Sequence, residues 1–408
     1  MNAVAKRIAK KVFPAGTRRN QWARSLWRRV RRLGRPASVG EPASGLMQIL
    51  QETQDRKGIV IYPPFIDWTW MRQRPHQLMR EFAEAGYLSL FCSPLYKTDS
   101  FRGFVRVAER LYLCDSLAPL YALPDPILLI SWTGHWEATK RFHWPTVIYD
   151  YLDDLGVSAE GGVPNGQKLD LHRKAVSGSQ VVLATARRLY DEVRRVRPDA
   201  IYCPNGVDYD HFHLSAAPPV PGDIADLVAA GRPVVGYYGA LARWFDYDLV
   251  VQAAQARPDC QFLLIGPDHE NTVAGGRLDR ASNIRWLGEK RYEELPAYLY
   301  YFDVATIPFV VNDITRATSP IKLFEYMAAG KPVVTTDLPE CCGRNGVLVA
   351  RDPQAFITLL GEAIASGRQD AQRRMLEQEA ERNRWRARAA QIIDRLGELR
   401  GMRRRRSA

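Results

Sequence analysis

Thr318-Ser319-Pro320-Ile321-Lys322-Leu323-Phe324-Glu325-Tyr326-Met327-Ala328-Ala329-Gly330-Lys331-Pro332-Val333-Val334 reads as a loop, a short helix and a buried strand. Ser319 suits the N-cap and Pro320 the first helical position. Gly330 suits the residue beyond the last turn, and Pro332 keeps the helix from continuing. Lys322 is the unusual residue. It stands in the first turn, where the helix macrodipole disfavours a cation by about 0.3–1 kcal/mol. An acid or amide there would complete a capping box. A cation against the dipole makes sense if an anion shares the site, because free backbone N–H groups at a helix N-terminus bind phosphate. Glu325, one turn on, is then placed to accept hydrogen bonds from hydroxyls beside that phosphate. The competing reading is an amphipathic helix with a surface Lys322–Glu325 pair, in the order that is poorer for helix pairing.

Around this stretch, apolar runs of strand length alternate with helical patterns. Upstream of it, strands are expected at Pro233–Tyr238, Gln261–Ile265, Asn283–Leu287 and Asp303–Ile307, with helices at Asp246–Ala256 and Tyr292–Tyr300 between them. Gly239, Gly266 and Gly288 stand just beyond the first three strands. A strand at Gly346–Val349 and a helix at Gln354–Ala365 follow, and one long helix is expected over Asp370–Leu399. The first half repeats the pattern from Gly58, with strands from Ile59–Tyr62 to Ala200–Cys203, and Pro-rich residues 216–222 separate the halves. Such alternation predicts parallel sheets covered on both faces. The chain is therefore divided as residues 1–57, a basic arm and linker; 58–215, a first doubly wound domain; 216–366, a second; and 367–408, a helix expected to pack back on the first domain and a basic tail. Two doubly wound, Rossmann-like α/β domains place a ligand at the carboxyl ends of their strands, in the cleft between them.

The net charge of +12 is unevenly spread. Residues 1–36 hold twelve Lys and Arg and no acid, and residues 368–408 hold thirteen Arg against six acids, which leaves residues 37–367 at −7. Basic tails on a mildly acidic body point to an anionic surface rather than to a body that binds nucleic acid, and no nucleic acid is expected. Trp22, Leu26, Val30 and Leu33 share one face of a helix drawn over residues 18–33. With its arginines, that pattern describes an interfacial membrane anchor. A disordered arm, a helix lying on the acidic body, and an RNA-binding arm are the competing readings. No apolar run approaches the roughly 20 residues that cross a bilayer. The basic N-terminus lacks the apolar core of a signal peptide. The six cysteines show no metal or disulfide spacing and fit reduced thiols. A cytoplasmic protein held peripherally at the inner face of the plasma membrane is the location expected.

Four segments carry a family resemblance: Gly236-Tyr237-Tyr238-Gly239, Phe262 to Pro267, Asn283 to Gly288, and Ser319 to Val334. In that order they resemble the donor half of GT-B glycosyltransferases, above all the retaining family-4, group 1 enzymes of bacterial exopolysaccharide or teichuronic-acid type. Pro204-Asn205-Gly206-Val207-Asp208 is similar to the segment ahead of that family's interdomain linker. The resemblance implies a transferase that moves a sugar from a UDP- or GDP-linked donor to a surface-glycan acceptor, lipid-linked in kind, with no cofactor and no metal. By the same resemblance Glu325 binds the ribose hydroxyls, and Ser319, Pro320, Ile321 and Lys322 meet the diphosphate. Gly239 and Arg243 lie in the loop that faces it, and Glu289, Lys290 and Arg291 frame the base. Lys322, Arg243 and His135 are the expected catalytic groups: the cations stabilise the leaving diphosphate by preorganised electrostatics, and His135 touches the donor sugar. One departure stands out. Eight residues before Glu325, where the family has an acid near the sugar, this chain has Ala317, with Asn312 and Asp313 as possible substitutes.

In the first half, Trp68, Arg72, Arg74, His76 and Asp150 lie at the carboxyl ends of expected strands and are candidates for an acceptor or the cleft wall. For each, packing or local hydrogen bonding is the competing reading. A sugar-nucleotide epimerase of the same architecture, and a non-catalytic nucleotide-binding homologue, are the alternatives to a transferase.

Overall fold

The computed structural model describes residues 41–43, 45–96, 98–155, 166–269, 271, 273, 276–367 and 369–407. The helix expected over 18–33 lies outside them. The first domain runs β1 (Glu41–Ala43), α1 (Leu46–Glu52), β2 (Ile59–Tyr62), α2 (Arg74–Glu84), β3 (Leu88–Cys92), β4 (Phe104–Ala108), β5 (Leu111–Cys114), β6 (Ile127–Ile130), α3 (Trp136–Thr139), β7 (Thr146–Tyr151), α4 (Gly166–Gly178), β8 (Val181–Ala184), α5 (Arg187–Val193) and β9 (Ile201–Tyr202). Its nine strands lie in the order β1-β4-β5-β3-β2-β6-β7-β8-β9. The strands from β5 to β9 pair in parallel. The central ones are buried at every residue, as a sheet covered on both faces requires.

The second domain runs α6 (Tyr209–Phe212), α7 (Ala225–Ala229), β10 (Val234–Tyr238), α8 (Tyr247–Ala256), β11 (Gln261–Ile265), β12 (Ile284–Trp286), α9 (Leu295–Tyr300), β13 (Val304–Ile307), α10 (Ile321–Ala328), β14 (Val333–Thr336), β15 (Val347–Ala350) and α11 (Pro353–Ser366). Its sheet is parallel throughout, in the order β12-β11-β10-β13-β14-β15. The topological switch lies between β10 and β13, and α10 begins beside it.

Three sequence expectations change. Order does not begin at Gly58: β1, inside the expected linker, pairs antiparallel with β4 (Glu41↔Arg106), and α1 buries Ile49 in the core. A three-residue edge strand has too little periodicity to be seen without its partner. β4 and β5 form an antiparallel hairpin, turned at Arg110 with φ 58°, within a sheet expected to be parallel. The last helix is two, α12 (Asp370–Arg382) and α13 (Trp385–Ser407). The break exists because Asn383 O accepts from Val207 N at 3.1 Å and Trp385 N donates to Val207 O at 3.1 Å. A Cβ on Gly206 would sit 2.8 Å from Asn383 O, so glycine lets the two segments meet. Beyond the break α13 lies on the first domain, with Trp385, Ile392 and Leu396 buried in that domain's core.

Candidate functional site

The loops after β10 and β11 end on glycines that touch. Gly239 N donates to Ile265 O at 2.9 Å, and a Cβ on Gly266 would lie 1.9 Å from Gly239 O. Both have φ near 140°, a conformation open to glycine alone. A Cβ on Gly239 would stand 2.9 Å from Lys322 Cε and 3.2 Å from its Nζ. The missing side chain is what admits the lysine to the end of the sheet.

α10 starts one residue later than the sequence indicates. Pro320 precedes its first residue, Ile321, and no side chain caps its N-terminus. Ser319 does other work: its Oγ accepts from Asn205 N at 3.2 Å, and its carbonyl accepts from Asn205 Nδ2 at 2.6 Å. The interdomain segment is thereby tied to the residue just ahead of the helix. Lys322 and Glu325 are not a surface pair. Lys322 is partly buried, its ammonium 5.0 Å from the Phe309 ring centroid and 5.4 Å from that of Tyr237. Burial lowers its pKa to about 8. Glu325 is 6% exposed and accepts from the Tyr238 hydroxyl at 2.7 Å. Burial raises it to about 7, against the pull of that hydrogen bond and of Lys322. An uncapped helix start, a desolvated ammonium and a desolvated carboxyl thus share one end of the second sheet. Such a site suits an anion that carries hydroxyls beside it.

The other donor-side candidates sit further out. Arg243 is exposed in the loop after β10. Glu289 and Arg291 are exposed too, and Arg291 pairs with Glu293 at 3.4 Å. Lys290 is held by Asp223 at 2.5 Å. Ala317 is 1% exposed and packs into the first domain's core cluster, and its turn lies against α5. The possible substitutes for an acid there are engaged: Asp313 pairs with Arg188 at 2.9 Å, and Asn312 Oδ1 accepts from Ile314 N and Thr315 N at 3.0 Å each.

In the first domain most candidates are engaged by packing or local hydrogen bonds. Arg74 is buried, donating from Nε to Asp150 Oδ2 at 2.8 Å and from Nη1 to Pro204 O at 3.1 Å. It therefore fastens β7 to the interdomain segment. His76 closes the cap of its own helix, with Nδ1 accepting from Gln73 N at 3.0 Å, and burial lowers it to about 4. Trp68 is buried against His76 and Phe91. Arg72 reaches across the cleft instead: its guanidinium lies 5.1 Å from the Tyr292 ring centroid and 3.8 Å from Glu293. His135 is buried at the end of β6, with Nε2 3.3 Å from Pro64 O and Nδ1 unpartnered.

Sequence reasoning missed Tyr238, which holds Glu325, and Tyr292, which accepts a hydrogen bond from Gln77 at 3.1 Å and stacks on His211. It missed Glu340 as well, whose carboxylate accepts from Arg187 N and the Tyr202 hydroxyl of the first domain, at 2.5 Å each. The only signal for Tyr238 was its place one residue before a glycine that ends a strand. Nothing local marked the other two.

Comparison with known proteins agrees with this architecture. Residues 220–366 match the family described as Glycosyl transferases group 1. The chain is 28% identical over 292 residues to the putative teichuronic acid biosynthesis glycosyltransferase TuaH of Bacillus subtilis, covering 66% of this chain and 72% of that one. Among solved structures, sucrose-phosphate synthase from Thermosynechococcus elongatus aligns with a TM-score of 0.65 at 17% identity, over 85% of this chain and 100% of that one. The E. coli trehalose-6-phosphate protein bound with UDP-2-fluoro glucose aligns at 0.64 and 11% identity, over 83% and 98%. At these identities the structural likeness shows the fold, which is GT-B.

Proposed function

The chain carries a glycosyl transferases group 1 domain at residues 220–366, and from that premise we propose that it moves a sugar from a nucleoside-diphosphate donor to a surface-glycan acceptor. One observation carries the reading: the uncapped start of α10, with the Lys322 ammonium against Gly239 and the buried Glu325 carboxyl one turn on. In this reading the diphosphate lies on the helix N-terminus beside Lys322, and Glu325 accepts from the ribose hydroxyls. The developing charge on the leaving diphosphate is met by groups already in place, which is how preorganised electrostatics lowers a barrier. The acceptor attacks from the face the diphosphate leaves, so configuration is retained and the leaving phosphate takes the acceptor's proton in place of a protein base; Lys322 and a second cation take the place of a metal. UDP and GDP sugars are the donors proposed, and Arg243 is the second cation, brought in from its exposed loop. A lipid-linked acceptor and a basic arm at an anionic membrane surface complete the proposal. Among the described residues, no helix is long and apolar enough to cross a membrane.

Glu325→Gln tests the assignment. The amide keeps an acceptor for the Tyr238 hydroxyl and nearly the same volume, so the fold stays intact. Removing the charge from a hydrogen bond to ribose weakens binding by about 1.5–3 kcal/mol, a factor of ten or more. Calorimetric titration with UDP and GDP reads this directly. A variant that binds both nucleotides as the wild type does removes Glu325 from the site.

A further inference from the structure

Three exposed aromatic side chains stand along the carboxyl edge of the first sheet. Tyr96 follows β3, Phe65 follows β2 and Trp132 follows β6, and these three strands are neighbours in the order β3-β2-β6. They are 68%, 39% and 45% exposed. Adjacent strands lie roughly 4.8 Å apart, so the three strands beneath these loops span roughly 10 Å of the edge where doubly wound domains bind ligands. The Phe65 and Trp132 rings are stacked, 16° from parallel.

The row is built rather than incidental, because the three loops are cross-linked. Asp67 of the β2 loop accepts from Tyr96 N at 2.9 Å and Thr98 N at 2.8 Å. Asp99 of the β3 loop returns the contact, accepting from Trp68 N at 2.6 Å and Thr69 N at 2.9 Å. The β6 loop joins through His135, whose Nε2 lies 3.3 Å from Pro64 O. A carbonyl there requires the hydrogen on Nε2, which leaves Nδ1 as an acceptor lone pair. That atom is buried without a partner, in a ring set edge-on to Trp132 with centroids 5.0 Å apart. Large exposed aromatic faces held in place, beside a buried acceptor that lacks a donor, are a ligand surface by their chemistry.

We propose that Tyr96, Phe65 and Trp132 form a platform for the acceptor, which is a glycan seated by the C–H faces of consecutive sugar rings, beside His135, whose Nδ1 is left for a hydroxyl of the donor sugar. This deepens the transferase reading above and rests on it. A lipid chain is the other apolar occupant. A surface for it would show exposed aliphatic side chains, yet the exposed large apolar residues of these loops are all aromatic.

The test uses the full chain, fluorescently labelled, on a glycan array that carries bacterial surface saccharides of one ring and of several. The wild type is expected to bind oligosaccharides and not single rings. Tyr96→Ala, Phe65→Ala and Trp132→Ala each weaken that binding roughly tenfold, the loss of one stacking contact, and Trp132→Phe restores most of it. Stabilisation by UDP is the same in all four variants, which shows the donor domain intact. Failure of the wild type to bind any glycan, or undiminished binding by a Phe65→Ala/Trp132→Ala double variant, overturns the platform. So does wild-type binding to neutral phosphatidylcholine vesicles that Trp132→Ala abolishes, since the occupant is then a lipid. If UDP stabilises no form of the protein while oligosaccharide binding behaves as expected, the donor reading fails and the platform stands.

Discussion

Lys322 permits a test that reports its protonation directly. Burial holds its pKa near 8, well below the ordinary value for lysine. The sign follows from that depression. Above the ordinary lysine pKa the buried amine carries no penalty. As pH falls toward 8 the unfolded chain takes up a proton that the folded site resists, so folding loses up to about 3 kcal/mol relative to high pH. A diphosphate beside the ammonium removes the cause of the shift and returns the pKa toward its ordinary value. At pH 8 the empty site is roughly half protonated and the occupied site nearly fully so, and UDP binding takes up ~0.5 proton from this group. Glu325, at about 7, is already ~90% ionised at pH 8 and offsets this by no more than ~0.1. The phosphate of UDP, with a second pKa near 6, adds nothing at that pH. Net proton uptake on nucleotide binding is therefore expected. Calorimetric titration in two buffers of different ionisation enthalpy measures it. Lys322→Met should abolish the uptake and weaken binding by about 1.5–3 kcal/mol, the value of a charge-assisted contact. UDP binding that is undiminished in Lys322→Met refutes a diphosphate at Lys322.

Other perturbations probe the frame around the site. Arg74→Met leaves the Asp150 carboxylate 1% exposed with neither oxygen paired, since Oδ1 already lacks a partner, and should cost about 3–5 kcal/mol in urea unfolding. Adding Asp150→Asn should recover much of that loss if the uncompensated charge is its cause. Ala317→Glu restores an acid where the resembled family has one, but here it forces a carboxylate into the first domain's core cluster. A loss of about 3 kcal/mol or more is expected by denaturant titration, and a neutral result would mean that the turn from Thr315 to Ala317 moves away from α5 at little cost.

How much the residues alone disclosed depends on how far apart the interacting groups lie. The helix start at Ile321, the glycine that ends it and the glycines after β10 and β11 are set by a few consecutive residues, so they were legible to within a residue or two. Alternating strands and helices likewise determined two domains built on mainly parallel sheets, because burial on both faces writes continuous apolar runs. The chain could not say which cations near strand ends keep a role in the cleft. Arg74 and Lys322 look alike in sequence, each in the first turn of a helix that opens with a proline within two residues of it. Asp150, 76 residues beyond Arg74, consumes the arginine, whereas Gly239, 83 residues before Lys322, makes room for the lysine. The break in the last helix, the fastening of Ser319 to Asn205 and the burial of Ala317 against the first domain have the same origin. Each depends on a partner delivered by the fold across more than a hundred residues, where no local propensity acts.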